Sequence, residues 1–538
     1  MKFFLKILPI IFLISSSQIF SNSCDCELVC PCTETQTCLA QENSCCNVFG
    51  KSFYASRSQG NNRARNMMGI QEKIHKFGVT DFYGVATAAL EYERIFRNQG
   101  IGTWFTTNGS SSMTYGMEYV QDETSDGIFD INSINFGVTG SGTISFCPTK
   151  DDIIFDLFVY LGFDKILCGT WASLQIPIVH SRWDLHLQET VEGDSTTYYP
   201  LNSVGDNLVN NVFNVAKPMT EAFKGAAFGD APALKYGKIC GRKDTTDIPG
   251  LEVLLGYDAV RCPFYHFAIA ADFVVPTGTQ PRGEYLFEPI VGDQDRWQAG
   301  LNINAGWNCW SNACNTNTIS IFLDATVNHL FAHKNRRILG INIPNATDTQ
   351  KNWSYYLLLK KFDNSDQATG LERATNIFTG DVKIKANVVG NVTLLLQWNC
   401  NCLMSGIGYE FWARSKEIME YRCFNIMPNT YAIKGSTEWN GDNTDTDNNK
   451  VAPTTTISTN GTVQDVTDSD SYLTNDMFYY CPALHPSTYS NKVFGFIGYN
   501  CCNRCFQPFV LIAGEAEFGE NNRAFSQWGI ILKGGLCY

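Results

Sequence analysis

The chain has 538 residues, of which only 17% are charged and 13% aromatic, with a formal net charge of −13. Soluble domains carry roughly 25% charged residues, so a chain this poor in charge spreads its polarity in another way. The acidic balance argues against a phosphate-neutralising nucleic-acid binder and mildly favours cations over anions as anything attracted to it.

The chain opens MKFFLKILPIIFLISSSQIFSNSC, with Lys2 and Lys6 at the start, an apolar run from Ile7 to Ile14 broken by Pro9, and Ser21 and Ser23 before Cys24. Residues 1–23 read as a secretory signal peptide, too short to cross a membrane by itself. Its removal takes two lysines and lowers the net charge from −13 to −15. A lipidated Cys24 is the alternative, although such sites usually have Leu where this chain has Ser21. No other stretch approaches the ~18 consecutive apolar residues of a transmembrane helix.

Residues 24–50 hold a cysteine cluster, Cys24, Cys26, Cys30, Cys32, Cys38, Cys45 and Cys46, out of 21 cysteines in all. Local groups follow at Cys309 and Cys314, at Cys400 and Cys402, and at Cys501, Cys502 and Cys505. Export makes disulfides the expected chemistry, within the chain or to other envelope proteins. Zinc or copper is the lesser reading, because the repeated Cys-x-x-Cys of a zinc site is missing. Residues 51–80, KSFYASRSQGNNRARNMMGIQEKIHKFGVT, are basic and do not alternate; they form a linker or a segment folding into a cavity.

From residue 81 to 538 the chain is a succession of strands. DFYGVATAALEYERIF sets Gly84, Ala86, Ala88, Leu90 and Tyr92 against Thr87, Glu91 and Glu93, and SMTYGMEYV alternates in the same way. Residues 204–224 are the one amphipathic helical stretch, suited to a constriction or a cap. WQAGLNINAGW, residues 297–307, puts Trp297, Leu301, Ile303 and Trp307 on one face and Asn302 and Asn304 on the other. Helical periodicity would scatter these side chains around the circumference, so this is a strand. TISIFLDATVNHLF places Asp324 and Thr326 on its polar face, and SGIGYEFWARS does so with Glu410 and Arg414. DVKIKANVVGNVTLLLQW reads as a hairpin turning at Gly390-Asn391. Val382, Ile384, Leu394 and Leu396 form its apolar face; Lys383, Lys385, Asn387 and Gln397 form its polar face. Trp528, Ile530, Leu532 and Tyr538 share the apolar face of the last strand. Long polar connections occupy 189–262, 332–378 and 415–491.

The apolar face meets lipid rather than a sandwich core. Eleven residues at ~3.3 Å each, tilted about 45°, cover roughly 25 Å, the height of an outer-membrane barrel's apolar band. Sandwich strands run to about five or six residues. Trp297 and Trp307 bracket their strand as interfacial aromatics do, and short turns alternate with long loops. The expected fold is therefore all-β: a transmembrane antiparallel β-barrel of about 14 strands, within a range of 12–18.

IIFDLFVYLGFD, LQIPIVHSRWDLHL, YYLLLKKFD and GNVTLLLQWNC resemble porin-like outer-membrane proteins predicted in Dependentiae, bacteria living inside amoebae. The resemblance covers most of the chain from about Phe53 to Tyr538. It implies a barrel in the bacterial outer membrane and no particular substrate. By composition alone, abundant cysteines on a barrel are similar to the chlamydial major outer-membrane porins, whose disulfides cross-link the envelope.

The polar parity, Asn302, Asn304, Asp324, Thr326, Lys383, Lys385, Asn387, Gln397, Glu410, Arg414, Glu515 and Glu517, is expected to line the lumen. It forms either a water-filled passage or an interior packed by its own polar network or by an inserted segment. No G-x-S-x-G, H-E-x-x-H or P-loop occurs, so no catalysis and no cofactor are expected. The acidic 415–491 loop lacks the Gly and terminal Glu of an EF-hand. The expected function is a porin passing small hydrophilic solutes through outer-membrane lipid. The alternatives are a closed, disulfide-linked envelope barrel and a surface adhesin.

Overall fold

The computed structural model describes residues 49–116, 129–138, 140–192, 218–313, 316–343, 346, 348–364, 368–434, 472–501 and 507–538. The signal peptide, the Cys24–Cys46 cluster, most of the 204–224 stretch and most of the 415–491 loop lie outside these residues.

Twelve antiparallel strands close into a barrel, at the lower end of the expected range. They are β1 Tyr83–Ile95, β2 Thr149–Gly162, β3 Thr170–Asp184, β4 Leu251–Arg261, β5 Tyr265–Val275 and β6 Gln298–Ser311. The circuit continues with β7 Asn317–Ile338, β8 Thr379–Cys400, β9 Leu403–Arg414, β10 Thr488–Asn500, β11 Gln507–Gly519 and β12 Gln527–Cys537. Each strand pairs with its sequence neighbours, and β12 returns to β1. Two short strands, Lys243–Asp247 and Glu417–Arg422, pair with β3 and β8 outside the circuit. β4 and β5 were hidden inside or beside the expected 189–262 loop. That loop is shorter than its composition suggests because LEVLLGYDAVR alternates poorly.

One barrel end has tight connections, such as Asn401 and Cys402 between β8 and β9, with Asn401 in the left-handed region at φ 54°. The other end carries the long connections, which build a crown of small sheets. Of SMTYGMEYV, the described part Ser112–Gly116 belongs to this crown: it pairs with Gly142–Phe146 and is not a barrel strand; residues 117–120 lie outside the described residues.

Outward side chains form an apolar belt that includes Leu90, Phe155, Leu301, Val327, Ile407, Ile497, Ile512 and Ile530. Tyr265, Trp307, Trp310, Trp398, Tyr499 and Tyr538 stand exposed near the short-turn end, and Phe96, Trp297, Phe331, Phe518 and Trp528 near the crown end. An apolar belt between two aromatic girdles on a closed sheet is the architecture of an outer-membrane β-barrel.

The expected hairpin at Gly390-Asn391 is not formed. β8 is one continuous strand of 22 residues, and neither residue has the positive φ that a two-residue hairpin turn demands. Against β7, His329 faces Val388 whereas Leu330 faces Ala386, so Asn387 is the extra residue of a bulge. A bulge of one residue reverses the faces beyond it. Below it Leu394 and Leu396 face lipid, as expected. Above it Val382 and Ile384 are fully buried in a crown core with Leu339, Ile341, Leu359, Phe378 and Met419.

Candidate functional site

The site is the barrel lumen, and the segment from Lys51 to about Lys76 lies inside it, where the sequence left a linker and an inserted segment open. At the crown end Phe53 and Tyr54 join an aromatic core with Trp104, Trp183, Phe287 and Phe525. At the short-turn end His75 lies 2.6 Å from Asp258, and the Lys76 backbone N–H donates to the Tyr83 hydroxyl at 3.3 Å. The segment thus threads the whole barrel as a plug.

A short helix, α1 Arg63–Met67, forms midway because Asn62 caps it: its side-chain oxygen accepts the Arg65 N–H at 3.1 Å. Two residues advance a helix by about 200°, so Arg63 and Arg65 point to different arcs of the wall. Arg65 places Nε 2.8 Å from Asp156 of β2 and a terminal nitrogen 2.5 Å from Glu91 of β1. Arg63 pairs with Glu252 of β4, reaches Asp272 of β5 at 3.2 Å, and lies 3.7 Å from Asp324 of β7. Earlier in the segment, Arg57 pairs with Glu410 of β9 and meets Glu517 of β11 at 3.1 Å. Charge-assisted contacts of this kind are the strong ones when desolvated.

The wall adds three lysines of its own. Lys150 lies 2.6 Å from Asp152, Lys492 pairs with Glu515, and Lys533 donates to the Arg65 and Asn66 carbonyls at 2.7 and 3.0 Å. Toward the short-turn end the contact becomes apolar. Met67, Met68, Ile70 and Ile74 pack on Phe158, Tyr160, Trp171, Phe494, Phe509 and Leu511. Gly69 sits there at φ +79°, and a Cβ on it would fall 2.6 Å from Leu511, so the plug passes the wall only because that residue is glycine. Gaps between plug and wall of about 20 and 30 Å³ hold no more than a water or two.

Most of the expected lumen residues face inward. Asn302, Asn304, Asp324, Thr326, Gln397, Glu410, Arg414, Glu515 and Glu517 are buried. Asn302 donates to Asp324 and Thr326, both at 2.9 Å, and Asn304 to Asp324 at 3.1 Å. Arg414 donates to the plug's Ala55 carbonyl at 3.1 Å. Lys383, Lys385 and Asn387 do not face the lumen. The bulge turns them outward above the belt, where Lys383 and Lys385 lie 3.0 and 3.6 Å from Glu420.

On the lipid side Trp297, Leu301, Trp307, Leu394, Leu396, Trp528, Ile530, Leu532 and Tyr538 are exposed and Ile303 is half-buried. Val382 and Ile384, expected on the same face, are buried in the crown because the bulge reverses their side. Among the described residues Cys309 and Cys501 bond to no other cysteine, and Cys400 and Cys402 are not joined to each other. Cys314, Cys502, Cys505 and Cys24 through Cys46 lie outside them.

The sequence pattern placed Glu91 on a polar face but singled out neither Arg57, Arg63 and Arg65 nor the partners Asp156, Glu252 and Asp272. The available signal was RSQGNNRARN, a basic run in an acidic chain that is followed by strands with carboxylates on their polar faces.

No protein-family profile and no curated protein matches the chain. Among solved structures, it is similar to an outer-membrane channel from Pseudomonas putida F1 at 8% identity and a TM-score of 0.33, over 86% of this chain and 97% of that one. A Pseudomonas aeruginosa FadL homologue aligns at 7% identity and a TM-score of 0.26, over 85% and 90%. A mutant of the monoaromatic hydrocarbon channel TodX aligns at 8% identity and a TM-score of 0.27, over 85% and 91%.

Proposed function

We propose that this barrel is a gated channel for small hydrophilic solutes, with residues 51–80 as the gate, rather than a permanently open porin. The observation that carries the reading is how the wall balances its charge. Glu91, Asp156, Glu252, Asp272, Asp324 and Glu410 take their cations from the plug, not from neighbouring strands. A barrel built only as a scaffold has no need of a polar wall that one separate segment completes. A charged wall around a removable occupant is what a selective passage requires.

The filled lumen favours one second reading, a closed structural barrel of the envelope. Single-channel recording separates them. The full chain should give infrequent openings, and Arg57→Gln with Arg65→Gln should raise the open probability about tenfold or more by removing charge-assisted contacts. Inserted protein that stays silent in both forms would establish the closed barrel.

A further inference from the structure

The station around Arg63 gathers more carboxylate oxygens than its occupant can reach. Three carboxylates, Glu252, Asp272 and Asp324, converge on one guanidinium from three different strands. The wall lysines are engaged elsewhere, Lys150 with Asp152, Lys492 with Glu515 and Lys533 with plug carbonyls. Asp272 is completely buried; its Oδ2 takes Arg63 and the Asn328 amide at 3.0 Å, whereas its Oδ1 accepts from no N–H donor. The same pattern recurs at the Arg57 and Arg65 stations. Glu410 Oε2 and Asp156 Oδ1 are buried without a donor while the other oxygen of each carboxylate is occupied. A buried carboxylate oxygen without a donor is costly. Three of them along one lumen, each beside a plug arginine, mark positions built to receive more N–H donors than the plug supplies.

We propose that the Glu252–Asp272–Asp324 station is a binding site for organic cations bearing a guanidinium or primary ammonium group, and that Arg63 occupies it as an internal surrogate. This rests on the channel reading and names its solute class. A guanidinium offers five donors and an ammonium three, enough to reach the oxygen that Arg63 leaves bare. An incoming cation competes with Arg63 for the same carboxylates, so the solute itself loosens the gate. Anions and neutral sugars have no such effect.

The test uses the full chain in planar bilayers, first in asymmetric KCl and then with L-arginine hydrochloride or potassium glutamate added. Reversal potentials should favour K⁺ over Cl⁻ by about tenfold, as an acidic low-dielectric passage does. Arginine should raise the opening frequency and glutamate should not. Asp272→Asn combined with Asp324→Asn should keep the steps, reduce the K⁺ preference and abolish the arginine response. Unboiled gel mobility checks that each variant folds, and Asp324→Asn alone serves if the pair does not assemble. Steps without cation preference, or an arginine response that survives in a folded variant, overturn the inference and leave the channel reading standing. Silence of both the inserted wild type and Arg63→Gln overturns the channel reading, and the inference with it.

Discussion

Single residues in this barrel answer to three different solvents. Leu301 is 61% exposed and faces lipid, while the adjacent Asn302 is 1% exposed and spans Asp324 and Thr326. Leu301→Arg should therefore cost ~2–4 kcal/mol near the midplane, read as a lower urea midpoint for the barrel in bilayers, whereas Leu301→Val should change little. In the crown, Lys360 is buried on the strand Leu358–Phe362, and burial lowers its pKa from 10.5 to about 8. The cost of burying its charge is full below pH 8 and fades as pH rises toward 10.5, where the unfolded lysine also loses its proton. Crown stability should rise across that window by roughly 3 kcal/mol at most. Lys434, buried beside this strand with its pKa lowered to about 7 by burial and by Lys360, adds to the same rise, so amide exchange in Leu358–Phe362 should follow it, Lys360→Met should lessen it and Lys360→Met with Lys434→Met should flatten it.

Among the elements, β8 shows what alternation conveys and where it misleads. Even-numbered residues from Val382 to Trp398 are apolar with few breaks, and that period identifies a strand correctly. It does not say where the faces exchange, because a bulge is set by pairing with β7 and leaves no mark in the hydrophobic pattern. Asn387 itself is exposed, so Asn387→Ala should assemble normally. Deleting Asn387 removes the reversal, turning Val382 and Ile384 outward and Lys383 and Lys385 into the crown core. Such a chain should fail to reach the compact, fast-migrating unboiled form on gels. The plug is the other instructive element. Its basic composition was legible, but five cross-lumen contacts from Arg57 and Arg63 to β4, β5, β7, β9 and β11 join residues 189 to 460 positions apart, a distance no local pattern conveys.

At the scale of the molecule, carboxylates of β1, β2, β4, β5, β7, β9 and β11 gather on the inner wall, where low dielectric strengthens each interaction, and the plug arginines are drawn to them. The apolar belt holds the barrel in lipid, the crown and the Phe53–Tyr54 end of the plug close one mouth, and the apolar contact of Met67, Met68, Ile70 and Ile74 closes the path toward the other. On the channel reading, opening displaces the plug against both ionic and apolar contacts. This is why conductance of the whole chain, with and without its arginines, is the measurement that decides its function.

Sequence alone determined the barrel, its lipid-facing parity and most of its inward polar residues, because a period of two and the length needed to cross a bilayer are local properties of the chain. It placed the strand number only within a range, since poorly alternating strands such as β4 read as loop. Tertiary structure alone decided that the lumen is filled and by which residues. It also decided where β8 exchanges its faces. Both depend on pairing between residues far apart in the chain, and the electrostatic attraction of a basic segment for an acidic wall exists only once the barrel has closed around it.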